Sequence, residues 1–208
     1  MRASLTHRSE AGVRLAAWVW RLDPPRWVAS SASVGGGVGR RDWVVNAQVP
    51  RDYARRDLAA HGREIAAALG LSGSGVVMLT AAPVARARAA RSGGVVARVS
   101  AGVDPPTWAA GPDAPTDTGP GTINTVVVVP ARLSPGALLN LLTTATEAKA
   151  QALGEAGIAG TGTPSDALTV VTRLEGPIAP FGGPRSPWGA RVARAVHGAL
   201  AAALAAAP

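Results

Sequence analysis

The stretch PGTINTVVVVPARLSPGALLNLLTTATEAKAQAL, residues 120–153, decides the fold, because it reads as a doubly buried strand followed by a helix. Four consecutive valines, Val126 to Val129, leave no polar face, so Ile123 to Val129 is expected as a strand covered on both sides. Pro130 ends it. Ser134 followed by Pro135 supplies a capping hydroxyl and a first helical residue with preset φ, and the helix can run to about Ala156 before Gly157.

Working outward, β-branched and tryptophan-rich stretches bounded by glycine, proline and aspartate predict strands at Arg14–Leu22, Trp27–Val34 and Trp43–Val49. Asp57 to Leu69 reads as the first helix, with Asp57 as cap and Gly70 as terminator. Gly75–Thr80 and Gly94–Gly102 read as strands joined by a basic, alanine-rich connection from Val84 to Ser92, and a proline-rich loop fills Asp104–Gly121. Downstream, GTGTPSD at 160–166 leads into a strand at Leu168–Leu174, and a final helix starts at Trp188. Asn46, Val49-Pro50 and Arg51 correspond loosely to Asn124, Val129-Pro130 and Arg132. The expected fold is therefore α+β: one domain over 1–208 with a mixed sheet and two loosely repeated strand–helix–strand halves, a site lying where they meet if the repeat is more than coincidence.

Composition narrows the function. The chain has 208 residues, 47% of them hydrophobic, and no cysteine, which removes disulfides, thiolate nucleophiles and cysteine-bound metal. His7, His61 and His197 have no ligand spacing, so neither metal nor cofactor is expected. The net charge of +8 raises nucleic acid as a partner. The cations, however, are scattered arginines with Lys149 the one lysine, a pattern of solvated charge rather than a binding stripe, and no nucleic-acid partner is expected. The start of the chain lacks a signal-peptide pattern, and the alanine-rich run from Trp188 to Ala207 carries Arg191, Arg194 and His197, so no membrane segment is expected and the expected compartment is the cytoplasm.

Several residues could carry chemistry. The run Gly35-Gly36-Gly37-Val38-Gly39 is followed by another strand instead of a helix, which excludes a dinucleotide fingerprint and leaves a hairpin or a backbone surface open to ligand. Asn140, Thr144, Glu147 and Gln151 fall on one helix face, a solvent stripe or the wall of a polar pocket. Over the dozen residues from Pro135, the helix rises roughly 18 Å, comparable with the about 20 Å of the preceding strand. Glu147 is accordingly expected to be at least half buried in one cavity with Asn124 and the Gly160–Asp166 loop. In that loop the glycines admit a ligand to the backbone and Thr161, Thr163 and Ser165 bring hydroxyls, while Asp166 serves equally as a turn cap. Trp108 and Trp188 lie where a flat apolar ligand could stack.

SSASVGGGVG at 30–39, WVVNAQVPRDY at 43–53, PGTINTVVVVPARLS at 120–134, TEAKAQAL at 146–153, GTGTPSD at 160–166 and FGGPRSPWGARVARAV at 181–196 resemble the adenosylcobinamide amidohydrolase family, the CbiZ type. The resemblance spans about 27–200. It implies an enzyme of corrinoid salvage with a small-molecule corrinoid substrate, hydrolysing the amide between aminopropanol and the corrin side chain to give adenosylcobyric acid; a corrinoid-binding module without turnover is the alternative. One departure is GGPRSPWG at 182–189, where some members carry threonine and histidine. No catalytic role is carried over from the family. From the chemistry of amide hydrolysis, Glu147 is expected as general base or acid, Asn124 with the Gly160–Thr163 loop as oxyanion stabilisers, and Asp166 as second carboxylate or orienter. A nucleophilic Thr161 or Thr163 is the other version. Asn46, Gly36, Gly37, Thr161, Gly162, Thr163 and Trp188 are expected substrate contacts.

Overall fold

A computed structural model gives the fold of residues 1, 3–112 and 121–206; residue 2, residues 113–120 in the middle of the expected Asp104–Gly121 loop, and residues 207 and 208 lie outside the described residues. The chain builds the same unit twice. In the first, β1 (Ala3–Glu10), β2 (Val13–Ser30) and β3 (Gly37–Gln48) pair antiparallel in order, and α1 (Leu58–Ala68) carries the chain to β4 (Gly75–Thr80), parallel to β3. In the second, β5 (Arg88–Ser92), β6 (Val95–Gly102) and β7 (Thr122–Val128) pair antiparallel in order; after the short β8 (Arg132–Leu133), α2 (Pro135–Glu155) leads to β9 (Ala167–Thr172), parallel to β7. The second unit continues through β10 (Ile178–Ala179), which pairs β8, into α3 (Pro187–Ala205). Antiparallel pairing of Trp27–Ser30 with β9 joins the units into one mixed sheet, the expected α+β fold with repeated halves.

That sheet turns back on itself, and three apolar clusters show how. Trp20, Val44, Val76 and Met78 of the first unit pack face to face with Val126 and Val171 of the second, forming an interior between the two halves. On the outer face of the first half, Ile65 and Ala66 of α1 cover Val19, Val45 and Val77. On the outer face of the second, Leu138, Leu141, Ala145 and Leu153 of α2 and Val192, Val196 and Leu200 of α3 cover Val99, Ile123, Val127 and Val170. The valine run is therefore buried on both faces, as its sequence predicts. Polar clasps cross the interior: Asn124 Nδ2 donates to Asn46 Oδ1 (2.9 Å) and to the Leu79 carbonyl (3.1 Å), Asn46 Nδ2 donates to Ser100 Oγ (2.8 Å), and the Arg98 guanidinium lies 3.6 Å above the Trp18 ring.

The expected strands 14–22 and 27–34 are one strand, β2, whose register with β3 shifts between Arg21 and Arg26 where Asp23-Pro24-Pro25 interrupt the ladder. The polar β1 has no alternating pattern to betray it, but Ala11 and Gly12, at φ 47° and 80°, form the tight turn that folds it onto β2. Arg88–Ser92, expected within a connection, is strand β5. Ser134 caps α2 as expected, accepting from the Ala137 amide, whereas Asp57 makes no capping bond because its carboxylate is held by Arg55. No helix among the described residues is long and apolar enough to cross a membrane.

Candidate active site

A cavity of about 200 Å³ opens where the two halves meet. Ser33 and Val34 after β2, Val49 and Tyr53 after β3, Thr122 at the start of β7, and Ser165 and Ala167 at the start of β9 contribute to its wall, which Leu58 and the end of β4 complete. Four separate sequence segments singled out above thus arrive at one place. The reason lies in the topology: the parallel pair β3–β4 presents its carboxyl ends there, and the parallel pair β7–β9 presents its amino ends.

On the second half's side, the Gly160–Asp166 loop is pinned by Asp166. Its carboxylate accepts from the Ile123 amide (2.8 Å), the Thr163 amide (3.2 Å) and the Thr163 hydroxyl (2.5 Å), and is paired with the Lys149 ammonium reaching over from α2. Lys149 and Asp166 are both largely buried, with side chains 11% and 15% exposed. A Cβ at Gly162 would lie 2.4 Å from both Lys149 Nζ and Asp166 Oδ2, so the pair needs glycine there. The anchored loop delivers the Ser165 hydroxyl to the cavity, 2.7 Å from Thr122 Oγ1 and 2.8 Å from the Gly121 carbonyl.

On the first half's side, Tyr53 Oη lies 2.7 Å from Nδ1 of the buried His61, and the two rings stack. His61 Nε2 stands 3.0 Å from Glu10 Oε1, an ion-pair distance but off the direction of a hydrogen bond, and Glu10 Oε2 accepts from Arg8 at 2.7 Å. Burial raises the Tyr53 phenol above its ordinary pKa and lowers the Arg8 guanidinium below its own.

Glu147 does not join this group. It is exposed, which corrects the expectation of burial. Helix length was compatible with a return to Asn124, but phase decides: Leu141, Ala145, Ala148 and Ala152 face the sheet, and Glu147 lies about 200° round the helix from Lys149. Asn140 and Gln151 are likewise exposed, so the polar face is a solvent stripe from which Thr144 departs, buried and donating to the Gly182 carbonyl. Asn124 and Asn46 lie beneath the cavity as each other's partner, both hydrogens of the Asn124 amide being engaged. Gly36 and Gly37 form the β2–β3 hairpin, where Arg41 donates to the Gly35 and Gly36 carbonyls; they stand outside the cavity wall. Thr161 Oγ1 accepts from the Ala109 amide and ties its loop to Thr107–Trp108. Trp188 packs at the head of α3 under Arg191, 4.6 Å from the guanidinium carbon, away from the cavity.

Sequence reasoning missed Lys149, Tyr53 and Glu10 as site groups. A signal was present: Lys149 is the only lysine in a chain that uses arginine everywhere else, and Tyr53 is the only tyrosine. Among the described residues no three histidine or acidic side chains gather as a metal site.

A wider groove of about 980 Å³ runs past the end of β6, between the carboxyl ends of α2 and α3 and the Arg51 and Pro83–Arg86 segments. Alanine, valine, isoleucine and leucine form its floor, and Arg51, Arg86, Asp104, Glu155 and His197 edge it. Gln151 and then His197 hold the Glu155 carboxyl below its ordinary value by hydrogen bonding. Groove and cavity adjoin, since Gly102 pairs with Thr122 and packs on Ala82.

The family model described as adenosylcobinamide amidohydrolase matches residues 2–207. A protein of that name from Halobacterium salinarum is 34% identical over 188 residues, 86% of this chain and 80% of its own length. Another of that name from Methanosarcina mazei is 30% identical over 185 residues, 85% of this chain and 89% of its own length.

Proposed function

This chain belongs to the adenosylcobinamide amidohydrolase family, and from that premise we propose that the cavity between its halves is where the amide of adenosylcobinamide is hydrolysed, releasing aminopropanol and adenosylcobyric acid. One observation carries the assignment: the segments around Ser33, Tyr53, Thr122 and Ser165, each within a stretch that carries the family resemblance, line a single cavity. At about 200 Å³ the cavity fits the end of a side chain and not a macrocycle. The adjoining groove of about 980 Å³, apolar on its floor and fringed with charges, suits the apolar face and amide arms of a corrin ring. The ring then rests in the groove while one amide arm enters the cavity.

Within it, the Thr122 and Ser165 hydroxyl oxygens accept from the amide N–H, the Ser165 hydrogen being donated to the Gly121 carbonyl, and Asp166 with Lys149 acts one step back by fixing the loop that carries Ser165. This develops the orienting role for Asp166 and gives Asn124 and Asn46 the task of clasping the halves. Thr163 spends its hydroxyl on Asp166 and thereby shapes the loop. The reading brings a small-molecule partner and a cytoplasmic setting. Against a nucleic-acid partner stand the arginines, several of which are spent internally, on Glu10, on hairpin carbonyls, on Trp18 and on Asp57 and Glu64.

Incubating the purified protein with adenosylcobinamide should yield adenosylcobyric acid and one equivalent of aminopropanol, resolved by chromatography, with little change in substrate affinity as salt is raised. Binding without any acid product would instead support the corrinoid-binding module.

A further inference from the structure

A line of four polar side chains starts at the cavity wall: Tyr53, His61, Glu10 and Arg8. The cavity reading above gives them no task. Their cost is real, because His61 is 1% exposed, Arg8 is buried, and the His61 Nε2 contact with Glu10 lacks hydrogen-bond direction. Apolar side chains of similar volume would pack the same space at no such penalty. The order of the chain also has a direction. Arg8 holds the Glu10 carboxylate from behind, donating through Nη2 at 2.7 Å while Nη1 is tied to the Gln48 carbonyl at 2.9 Å. Glu10 Oε1 can only accept, so a ring hydrogen on His61 Nε2 faces it favourably even without hydrogen-bond direction, and we assign that tautomer. Nδ1 then presents a lone pair to the Tyr53 hydroxyl, whose side chain also lines the cavity.

We infer that Tyr53 is the catalytic group that moves the proton in amide hydrolysis, with His61 as its proton store and Glu10 as the positioning residue that fixes the imidazole. The inference rests on the cavity reading above. As the oxygen of a water forms its bond to the amide carbonyl carbon, the water gives a proton to Tyr53 and Tyr53 passes its own to His61 Nδ1. The Glu10 carboxylate faces the imidazolium so formed. When the carbon–nitrogen bond breaks, His61 returns its proton to Tyr53 and Tyr53 delivers one to the departing nitrogen. The side chains end as they began, and water is divided between acid and amine. One relay thus serves as base and then as acid, the sequence that amide cleavage requires.

The test measures kcat on adenosylcobinamide, affinity for the product adenosylcobyric acid, and the recovery of kcat in a conservative variant at Glu10. The charged groups facing His61 are Glu10 and Arg8 on β1, and Asp57 and Glu64 on its own helix, both tied to Arg55, so their contribution is common to every variant in which only Glu10 or Tyr53 is changed. Tyr53→Phe removes one oxygen and should lower kcat by about 100- to 10,000-fold, with product affinity unchanged. Glu10→Gln should lower kcat less, with product affinity unchanged, and Glu10→Asp, which keeps the anion facing the ring, should restore most of the loss. Tyr53→Phe with wild-type kcat, or with kcat and product affinity lost together, overturns the relay, as does a Glu10→Asp no more active than Glu10→Gln. Ala81→Trp, which fills the cavity while leaving every residue of the relay unchanged, separates the two readings: if it hydrolyses at the wild-type rate the cavity reading itself fails, whereas if it is inactive and Tyr53→Phe is not, the relay alone fails.

Discussion

Asp166→Ala should destabilise the protein by about 3–5 kcal/mol, because it leaves the Lys149 ammonium buried with its counter-charge gone. The same change takes the acceptor from the Ile123 amide and from both the amide and the hydroxyl of Thr163. For a domain of this size each kcal/mol moves the midpoint by about 2–4 °C, so a fall of roughly 10 °C in thermal melting is expected. Hydrolysis should fall with it, since Ser165 sits next to the anchor. Lys149→Met combined with Asp166→Ala should be milder than Asp166→Ala alone, as no unpaired charge remains. An Asp166→Ala protein that melts with the wild type would show that the pair bears no load.

Ala81→Trp should abolish most hydrolysis while leaving the fold in place. Ala81 follows the end of β4, half-buried on the cavity wall, and an indole there takes up space that the amide arm needs. Displacing a reacting group by even about 1 Å can cost about 100-fold in rate, so a loss of at least about that size is expected in a chromatographic assay of the acid product. Its thermal midpoint should stay close to wild type because the position lies in a loop rather than in the ladder.

Much of this architecture was legible in the sequence where local physics decides. The valine run pointed to a doubly buried strand, Ser134-Pro135 to a helix start, and the glycine run followed by Trp43-Val44-Val45 excluded a dinucleotide site and left a hairpin, which is found, or a surface open to ligand. Even the distant correspondence of Asn46 and Asn124 was visible, and the two amides are bonded to each other. What the sequence concealed depends on rotation and long-range approach. The face of α2 that meets the sheet is set by packing of Ala145, Ala148 and Ala152, so that Lys149 and not Glu147 reaches the Gly160–Asp166 loop. Glu10 comes within 3.0 Å of His61 only because β1 folds onto β2, and β1 carries no pattern of its own. The N-terminal strand was thereby lost to view together with two members of the line behind Tyr53.

The central claim is that the amide arm of adenosylcobinamide enters the cavity between the halves while the ring lies in the adjoining groove. A crystal structure of the protein bound to an adenosylcobinamide analogue, with a methylene in place of the scissile carbonyl, tests it most directly. The account predicts the aminopropanol end between Tyr53 and the Thr122–Ser165 hydroxyl pair, with the corrin face against the carboxyl ends of α2 and α3. An analogue bound with its aminopropanol arm outside that cavity, at the β2–β3 hairpin or against Trp188, would contradict it.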